Sequence, residues 1–200
     1  MGSVRHDLLN ARPLPRVMQS VTDADLARRA AAGDPDAFGA LVERWSPAVR
    51  RVTRAALGDP DEADDAAQDA FLSAWTNVGS YDPGRPFGPW ILRIATNRAF
   101  DRGRRKKVRA AEPLHEDRPS GRPGPDTDLE RSMLRERLDV ALAKLPPRQR
   151  VAVTMFDAEG YSHSEIADVL GVPEGTVRSD VFHARRALRT SLTMYRGGDR

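Results

Sequence analysis

Six carboxylates stand between Asp59 and Asp69 with no base among them: Asp59, Asp61, Glu62, Asp64, Asp65 and Asp69. Carboxylates this close could gather a divalent cation and activate water, the chemistry of a nuclease or hydrolase. The rest of such a site is missing. The four histidines, His6, His115, His163 and His183, are scattered, and neither a glycine-rich phosphate loop nor a nucleophile elbow is present. The chain has no cysteine, which excludes thiolate metal sites and a disulfide scaffold and fits a reducing cytoplasm. The expectation is therefore no metal site, no cofactor and no catalysis. A second run has the opposite sign: Arg102, Arg104, Arg105, Lys106, Lys107 and Arg109 lie together with no acid between them. The net charge is only +3 although the pI is 9.7, so the placement of charge matters more than its total. Segregation of this kind suggests two partners of opposite sign.

The sharpest chemical pattern lies near the C-terminus, from Tyr161 to Arg189. Ser162 and Glu165 have the spacing of a capping box, which fixes the start of a helix. Ile166, Ala167 and Leu170 form its buried side. Gly171 supplies the left-handed residue of a sharp turn, and Val172 plugs the angle between two helices. The second helix starts near Glu174 and turns Val177, Val181, Ala184 and Leu188 inward. Thr176, Arg178, Ser179, Phe182 and His183 are left on the outer face, with Arg186 further along, where a recognition helix presents side chains to a major groove. Pro173 cannot cap with a hydroxyl, so the amides of Gly175 and Thr176 are candidates for a DNA phosphate. The segment from Glu174 to Arg189 holds four arginines against two acids. With so few phosphate contacts, non-specific affinity at physiological salt is on the order of 10⁻⁴ M. Such a reader needs to be delivered to its site by something else.

The elements that must position these residues are helical. Aromatics are 6% of the chain, and apolar residues recur at three-to-four spacing. Asp34-Pro35 and Asp59-Pro60 each read as an N-cap followed by a first-turn proline. Gly33, Gly58 and Gly79 read as helix ends. Phe38, Leu41, Val42, Trp45, Val49 and Val52 line one face of a helix in which Pro47 predicts a kink near Ser46. Ala63, Ala67, Ala70, Phe71, Ala74 and Trp75 line the next. After the turn Tyr81 to Pro86, a helix is expected from about Pro89 to Arg105, with Trp90, Ile91, Ile94 and Ala95 inward. Residues 108–126 are rich in proline, glycine and charge, a linker composition. Leu129, Met133, Leu134, Leu138, Ala141, Leu142 and Leu145 form the face of a further helix, and Pro146-Pro147 opens another with Val151, Met155 and Phe156 inward. The fold class is all-α. Its expected parts are a tail at 1–21, a helical domain at 22–107, a linker at 108–126, a helix-turn-helix domain at 127–193 and a tail at 194–200. No run of about 18 apolar residues is present, so no membrane insertion is expected.

In order along the chain stand Asp34-Pro-Asp-Ala-Phe38, Asp64-Asp-Ala-Ala-Gln-Asp-Ala-Phe71, Trp90-Ile-Leu-Arg-Ile-Ala-Thr-Asn97 with Asp101 and Arg104, and Leu145-Pro-Pro-Arg-Gln-Arg150 before the helix-turn-helix. This ordered set resembles the extracytoplasmic-function (ECF) sigma factors of the sigma-70 family, subunits that direct bacterial RNA polymerase to promoters. The resemblance spans about Thr22 to Leu192. It implies that the helix bearing Asp64, Asp65, Gln68, Asp69, Phe71 and Leu72 docks on the clamp helices of core RNA polymerase. A negatively charged face beside apolar side chains suits a basic helical partner; the same acids could simply favour the dipole of a solvated helix.

It also implies that a base of the melted −10 element is captured by the turn around Tyr81 and by Ala95, Thr96 and Asn97. An aromatic ring can stack on a base and an amide can read its edge. Arg93, Arg98, Asp101, Arg104 and Arg105 complete that surface, with Arg102 along the DNA backbone. Equally, Tyr81 could be a residue at the edge of the core, and the basic run a solvated helix end. The helix-turn-helix would read the −35 element of promoter DNA, and an anti-sigma protein would restrain the chain. Residues 108–126 would thread through polymerase or act as a spacer only. Asp180 and His183 stand where the family often has arginine. Asp180 could accept a hydrogen bond from a cytosine amine, or pair with Arg178 or Arg185 and touch no DNA. The resemblance leaves Met1 to Ser20 uncovered, and Met18 is a candidate start. The main rival is a stand-alone helix-turn-helix transcriptional regulator, which would need a receiver or ligand-binding domain that residues 22–107 do not suggest.

Overall fold

The computed structural model describes residues 21–110 and 129–196. The Met18 start and most of the 108–126 linker lie outside the described residues. Among the described residues eight α-helices follow in order: α1 (Asp23–Ala31), α2 (Pro35–Leu57), α3 (Pro60–Asn77), α4 (Phe87–Ala110), α5 (Leu129–Ala143), α6 (Pro147–Asp157), α7 (His163–Leu170) and α8 (Glu174–Arg196). No strand occurs among the described residues.

Local sequence accounts for most boundaries. The Asp34 carboxylate accepts from the amides of Asp36 and Ala37 at the start of α2, and Asp59 does the same for α3 through Asp61 and Glu62. Each is followed by a proline at N1, where the missing N–H costs nothing. Gly58 ends α2 at φ +75, a left-handed conformation that a side chain would strain. The α2 helix is not broken at Pro47; just before it the Ser46 hydroxyl donates to the Val42 carbonyl at 2.6 Å. Gly79 does not act as a left-handed stop. It lies within a 3-10 turn, Val78–Ser80, that carries the chain out of α3.

The α4 helix begins two residues before Pro89 and runs to Ala110, beyond the expected Arg105. Pro89 is tolerated because it falls in the first turn, where N–H groups have no partner within the helix. Ion pairs to α3 hold the later turns, as described below.

Helices α1 to α4 form one bundle in which α2, α3 and α4 all touch one another. Leu41, Val49, Val52, Ile91 and Leu92 are fully buried at its centre. Helices α6 and α7 then pack on α2 and α4, so Val151, Met155, Ile166 and Val169 belong to the same contiguous core. A smaller cluster of Leu145, Val153 and Ala184 joins α6 to α8 and the chain after α5. Of the described residues on the apolar face foreseen for α5, Ala141 is buried and Leu142 partly so, whereas Met133 and Leu138 are exposed.

Candidate nucleic-acid and polymerase interface

The helix-turn-helix forms as its residues dictate. Ser162 Oγ accepts from the Glu165 amide at 3.2 Å, and the Glu165 carboxylate accepts from the Ser162 amide at 2.9 Å. These bonds, first the Ser162 amide and then its hydroxyl, hold the Glu165 carboxyl below its ordinary value. Gly171 turns the chain at φ +65, and Val172 packs against the core between the helices.

On α8, Val177, Val181 and Ala184 are buried, while Gly175, Arg178, Ser179, Phe182, His183 and Arg186 are exposed and Thr176 is half-buried. The Phe182 ring meets His183 edge-on, their centroids 5.5 Å apart. Arg178 is steadied by Glu174, one turn earlier, at 2.6 Å. The Thr176 amide is already donated to the Pro173 carbonyl at 2.9 Å, so of the two amides considered for phosphate it is the one with an internal partner.

Asp180 does not face outward. It is 5% exposed and accepts from Arg148 of α6 at 2.6 Å, rather than pairing with Arg178 or Arg185. Arg185 pairs instead with Asp157 and lies over the Phe156 ring at 4.7 Å. Sequence proximity suggested the wrong partners. Helix α6 packs against α8 and brings residues about thirty positions away into reach.

The α4 helix presents Arg93, Asn97, Arg98, Arg104 and Arg105 to solvent, with Asp101 half-buried. Arg93, Asn97, Asp101 and Arg104 recur at helical spacing and form one stripe. Arg98 donates to Ser73 Oγ at 2.9 Å, and Arg104 is bonded to Asp101.

Three residues expected at a base are buried: Tyr81 at 7%, Ala95 at 0% and Thr96 at 1% exposure. Tyr81 donates its hydroxyl to the Arg85 carbonyl and packs edge-on against Phe87, with Trp90 at 5.5 Å. Burial raises its phenol pKa. It is the core-edge residue, not an open stacking plate. Thr96 Oγ1 donates back to the Leu92 carbonyl within α4. These three shape the stripe from beneath, whereas Asn97 stands on it.

The acidic and basic runs are not two independent poles. Arg102 reaches Glu62, Asp65 and Asp69 on α3, and Lys106 reaches Asp59 at 3.1 Å. Burial alone would push the Asp59 carboxyl up, but hydrogen bonds from Lys106 and the Glu62 amide bring it below its ordinary value. Arg102 is thereby committed to α3 instead of to a DNA backbone. Asp64, Asp65, Gln68 and Asp69 still keep exposed side chains, and Leu72 is 59% exposed. Asp64, Asp65, Gln68 and Leu72, together with half-buried Phe71 and with Phe38, Val42, Arg50 and Trp75, border a groove of about 530 Å³ between α2 and α3, where Arg50 lies 3.8 Å from Asp64. Trp75 leans on Phe38 with centroids 5.0 Å apart. Exposed apolar side chains beside carboxylates are the chemistry that would suit a basic, partly apolar helix.

A helical bundle bearing a basic stripe and a groove bordered by carboxylates, followed by a helix-turn-helix, is the layout of a two-part DNA-binding protein. The comparisons specify it further. The model of Sigma-70 region 2 matches residues 41–109, and that of Sigma-70, region 4 matches residues 135–188. The ECF RNA polymerase sigma factor SigM of Mycobacterium tuberculosis is 37% identical over 171 residues, covering 86% of this chain and 85% of that one. Among solved structures, CnrH in complex with the cytosolic domain of CnrY matches with a TM-score of 0.61 and 30% identity, over 86% of this chain and 97% of that one. The sigma factor RpoE in complex with the anti-sigma factor NepR from Bartonella quintana matches with a TM-score of 0.65 and 25% identity, over 82% and 98%. The chain belongs to the sigma-70 family, in its ECF group, and is an alternative sigma factor of promoter-specific transcription.

Proposed function

We propose that this chain binds core RNA polymerase and directs it to promoters by reading a −35 element with α8 and engaging the melted −10 element with α4, with no catalysis of its own. The observation that carries this reading is the order of surfaces on one chain. An acid-rimmed groove and a basic stripe on the α1–α4 bundle precede an exposed recognition face on α8. The groove takes the polymerase, through Asp64, Asp65, Gln68, Asp69, Phe71 and Leu72.

On α4, Asn97 reads a base edge, and Arg93, Arg98, Arg104 and Arg105 follow the backbone. Tyr81, Ala95 and Thr96 set the shape of that helix from below. On α8, Arg178 and Ser179 are the principal readers. Gly175, Thr176, Phe182, His183 and Arg186 border them, and Asp180 holds the helix to α6 without touching DNA. An anti-sigma protein, the class of partner with which RpoE is solved, restrains the chain.

Run-off transcription tests this directly. Core polymerase supplemented with the chain initiates at particular promoters, and core polymerase alone does not. Unchanged output on every template would overturn the reading. Tight sequence-specific binding by the pure chain would favour a stand-alone regulator. Within this reading Arg178→Ala costs about 1–3 kcal/mol at one promoter position if it grips a base, and weakens all sequences alike if it only holds phosphate.

A further inference from the structure

Residues 1–20 carry chemistry complementary to the groove between α2 and α3. They hold three arginines, Arg5, Arg12 and Arg16, against one acid, Asp7, and their apolar side chains include Leu8, Leu9, Leu14 and Val17. Within them stands Arg12-Pro13-Leu14-Pro15-Arg16. Prolines at alternate positions favour the polyproline conformation, because each fixes its own φ and pushes the residue before it to extended backbone. Aromatic-lined grooves take such sequences at little entropic cost.

The groove matches in shape of surface and in charge. Phe38, Phe71 and Trp75 give it aromatic walls, and Trp75 is 38% exposed. Helix α3 carries five acids, Asp61, Glu62, Asp64, Asp65 and Asp69, and no base. The side chains of Asp64 and Asp65, which line the groove, are both more than half exposed. Arg50 lies 3.8 Å from Asp64, and Arg102 pairs with Asp65, so five acids stand against two arginines. An excess of negative charge is left for a cationic segment.

The chain enters α1 within reach of the groove. The Val21 carbonyl accepts from Arg44 of α2 at 3.2 Å. Arg44 is two positions from both Val42 and Ser46, which line the groove, so it stands on the opposite side of α2. One helix width, about 10–12 Å, separates the two sides. The five residues 16–20 span about 16 Å when extended, and the nine residues 12–20 about 30 Å. A tether this short holds the segment near the groove at an effective concentration of about millimolar, so weak contacts suffice.

We propose that in the free chain this groove is occupied by the chain's own residues 12–16, with Leu14 and Pro15 against Phe71 and Trp75 and the two arginines toward Asp64 and Asp65. The consequence for polymerase rests on the function proposed above. Segment and polymerase use the same acids and apolar side chains, so one must leave before the other binds. Apparent affinity for polymerase is then lowered to the extent that the groove is filled.

Because the chain has no cysteine, a nitroxide can be placed at one chosen position. Thr76→Cys carries it beside the groove, one turn beyond Leu72, and Arg28→Cys carries it on α1; both positions are exposed. In the isotope-labelled full chain, the label at 76 broadens the amide signals of Arg12, Leu14 and Arg16 more than the label at 28 does. That preference is lost in Arg12→Glu with Arg16→Glu, which changes no residue of the helical bundle. Equal broadening from both labels, or a preference that survives the charge reversal, would overturn the occupancy. Broadening found only between molecules, in a mixture of isotope-labelled and nitroxide-labelled chains, would give the groove to a second copy and overturn it too.

Equilibrium binding to core polymerase tests the consequence. The charge-reversed variant, and separately Leu14→Asp, binds roughly threefold or more tightly than the parent. Equal or weaker binding would overturn the restraint. A parent and variants that all fail to bind polymerase, while the broadening pattern holds, would instead defeat the functional reading and leave the filled groove standing.

Discussion

The two basic helices solve different problems. On α4, Arg93 and Arg105 enter no ion pair among the described residues and stand exposed along the stripe. On α8, Arg178 is tied to Glu174, Arg185 to Asp157, and the acid Asp180 to Arg148. Loose cations suit phosphates of any sequence, whereas side chains steadied by partners suit the edges of particular bases. Under the proposed function, the α8 face would give up electrostatic pull for placement, and its low net charge would go with delivery by a larger assembly.

Different surfaces do not make independent halves, and the largest expected effect tests this. Ile166 sits on α7 but is fully buried in the core shared with α2 and α4. Ile166→Ala removes three carbons from a packed site and costs about 2–5 kcal/mol. Calorimetry is expected to show one transition moved down as a whole. Two transitions, of which only one moves, would break the shared core into separately melting parts.

A smaller effect separates the partners of the buried pair beneath α8. Asp180 is nearly enclosed, but half of the Arg148 side chain is exposed. Arg148→Ala leaves a carboxylate without its donor and costs about 1–3 kcal/mol. Asp180→Asn lets Arg148 turn to water and costs less. Neither alters which promoter is chosen, because Asp180 does not face the groove. Urea denaturation of both variants gives the order; a costlier Asp180→Asn, or a changed promoter preference, would return Asp180 to the reading face.

The sequence was most legible where a local rule operates. Asp-Pro helix starts, the Ser162–Glu165 box and Gly171 are decided by residues two or three apart, and each appears as read. The outward face of α8 was legible too, since helical period alone assigns it. Pairings over distance were not. The acidic run of α3 and the basic run of α4 were read as two poles, yet α3 and α4 run antiparallel, so Asp59 meets Lys106 and Glu62 meets Arg102. That antiparallel turn was visible in the short connection between the helices, and could have predicted the neutralisation. Tyr81 was ambiguous for another reason. An aromatic residue in a polar turn has the same sequence whether it faces solvent or closes a cluster with Phe87 and Trp90. Nothing local foretold Arg150, a surface-type residue enclosed only because two halves meet over it.

The smallest expected effect asks whether each half carries its own acid-labile cap. Asp59 and Glu165 both titrate below their ordinary values, 3.8 and 4.5, one at the head of α3 and the other within the box of α7. A carboxylate with a depressed folded-state pKa contributes stability that is complete above its unfolded value. That contribution fades as the pH falls through the folded value. The parent is therefore stable and flat above about pH 5 with respect to these groups, and loses ground below about pH 4. Asparagine is as good an N-cap as aspartate, so Asp59→Asn keeps the cap while deleting the charge that meets Lys106. Its urea midpoint is lower than the parent's at pH 7, and the gap narrows as the pH falls through the folded-state value, where the parent carboxyl takes up its proton. Glu165→Gln behaves in the same way for the other half, because glutamine can still accept from the Ser162 amide. A gap that widens on acidification in either variant would mean that the carboxylate is a burden there rather than a support.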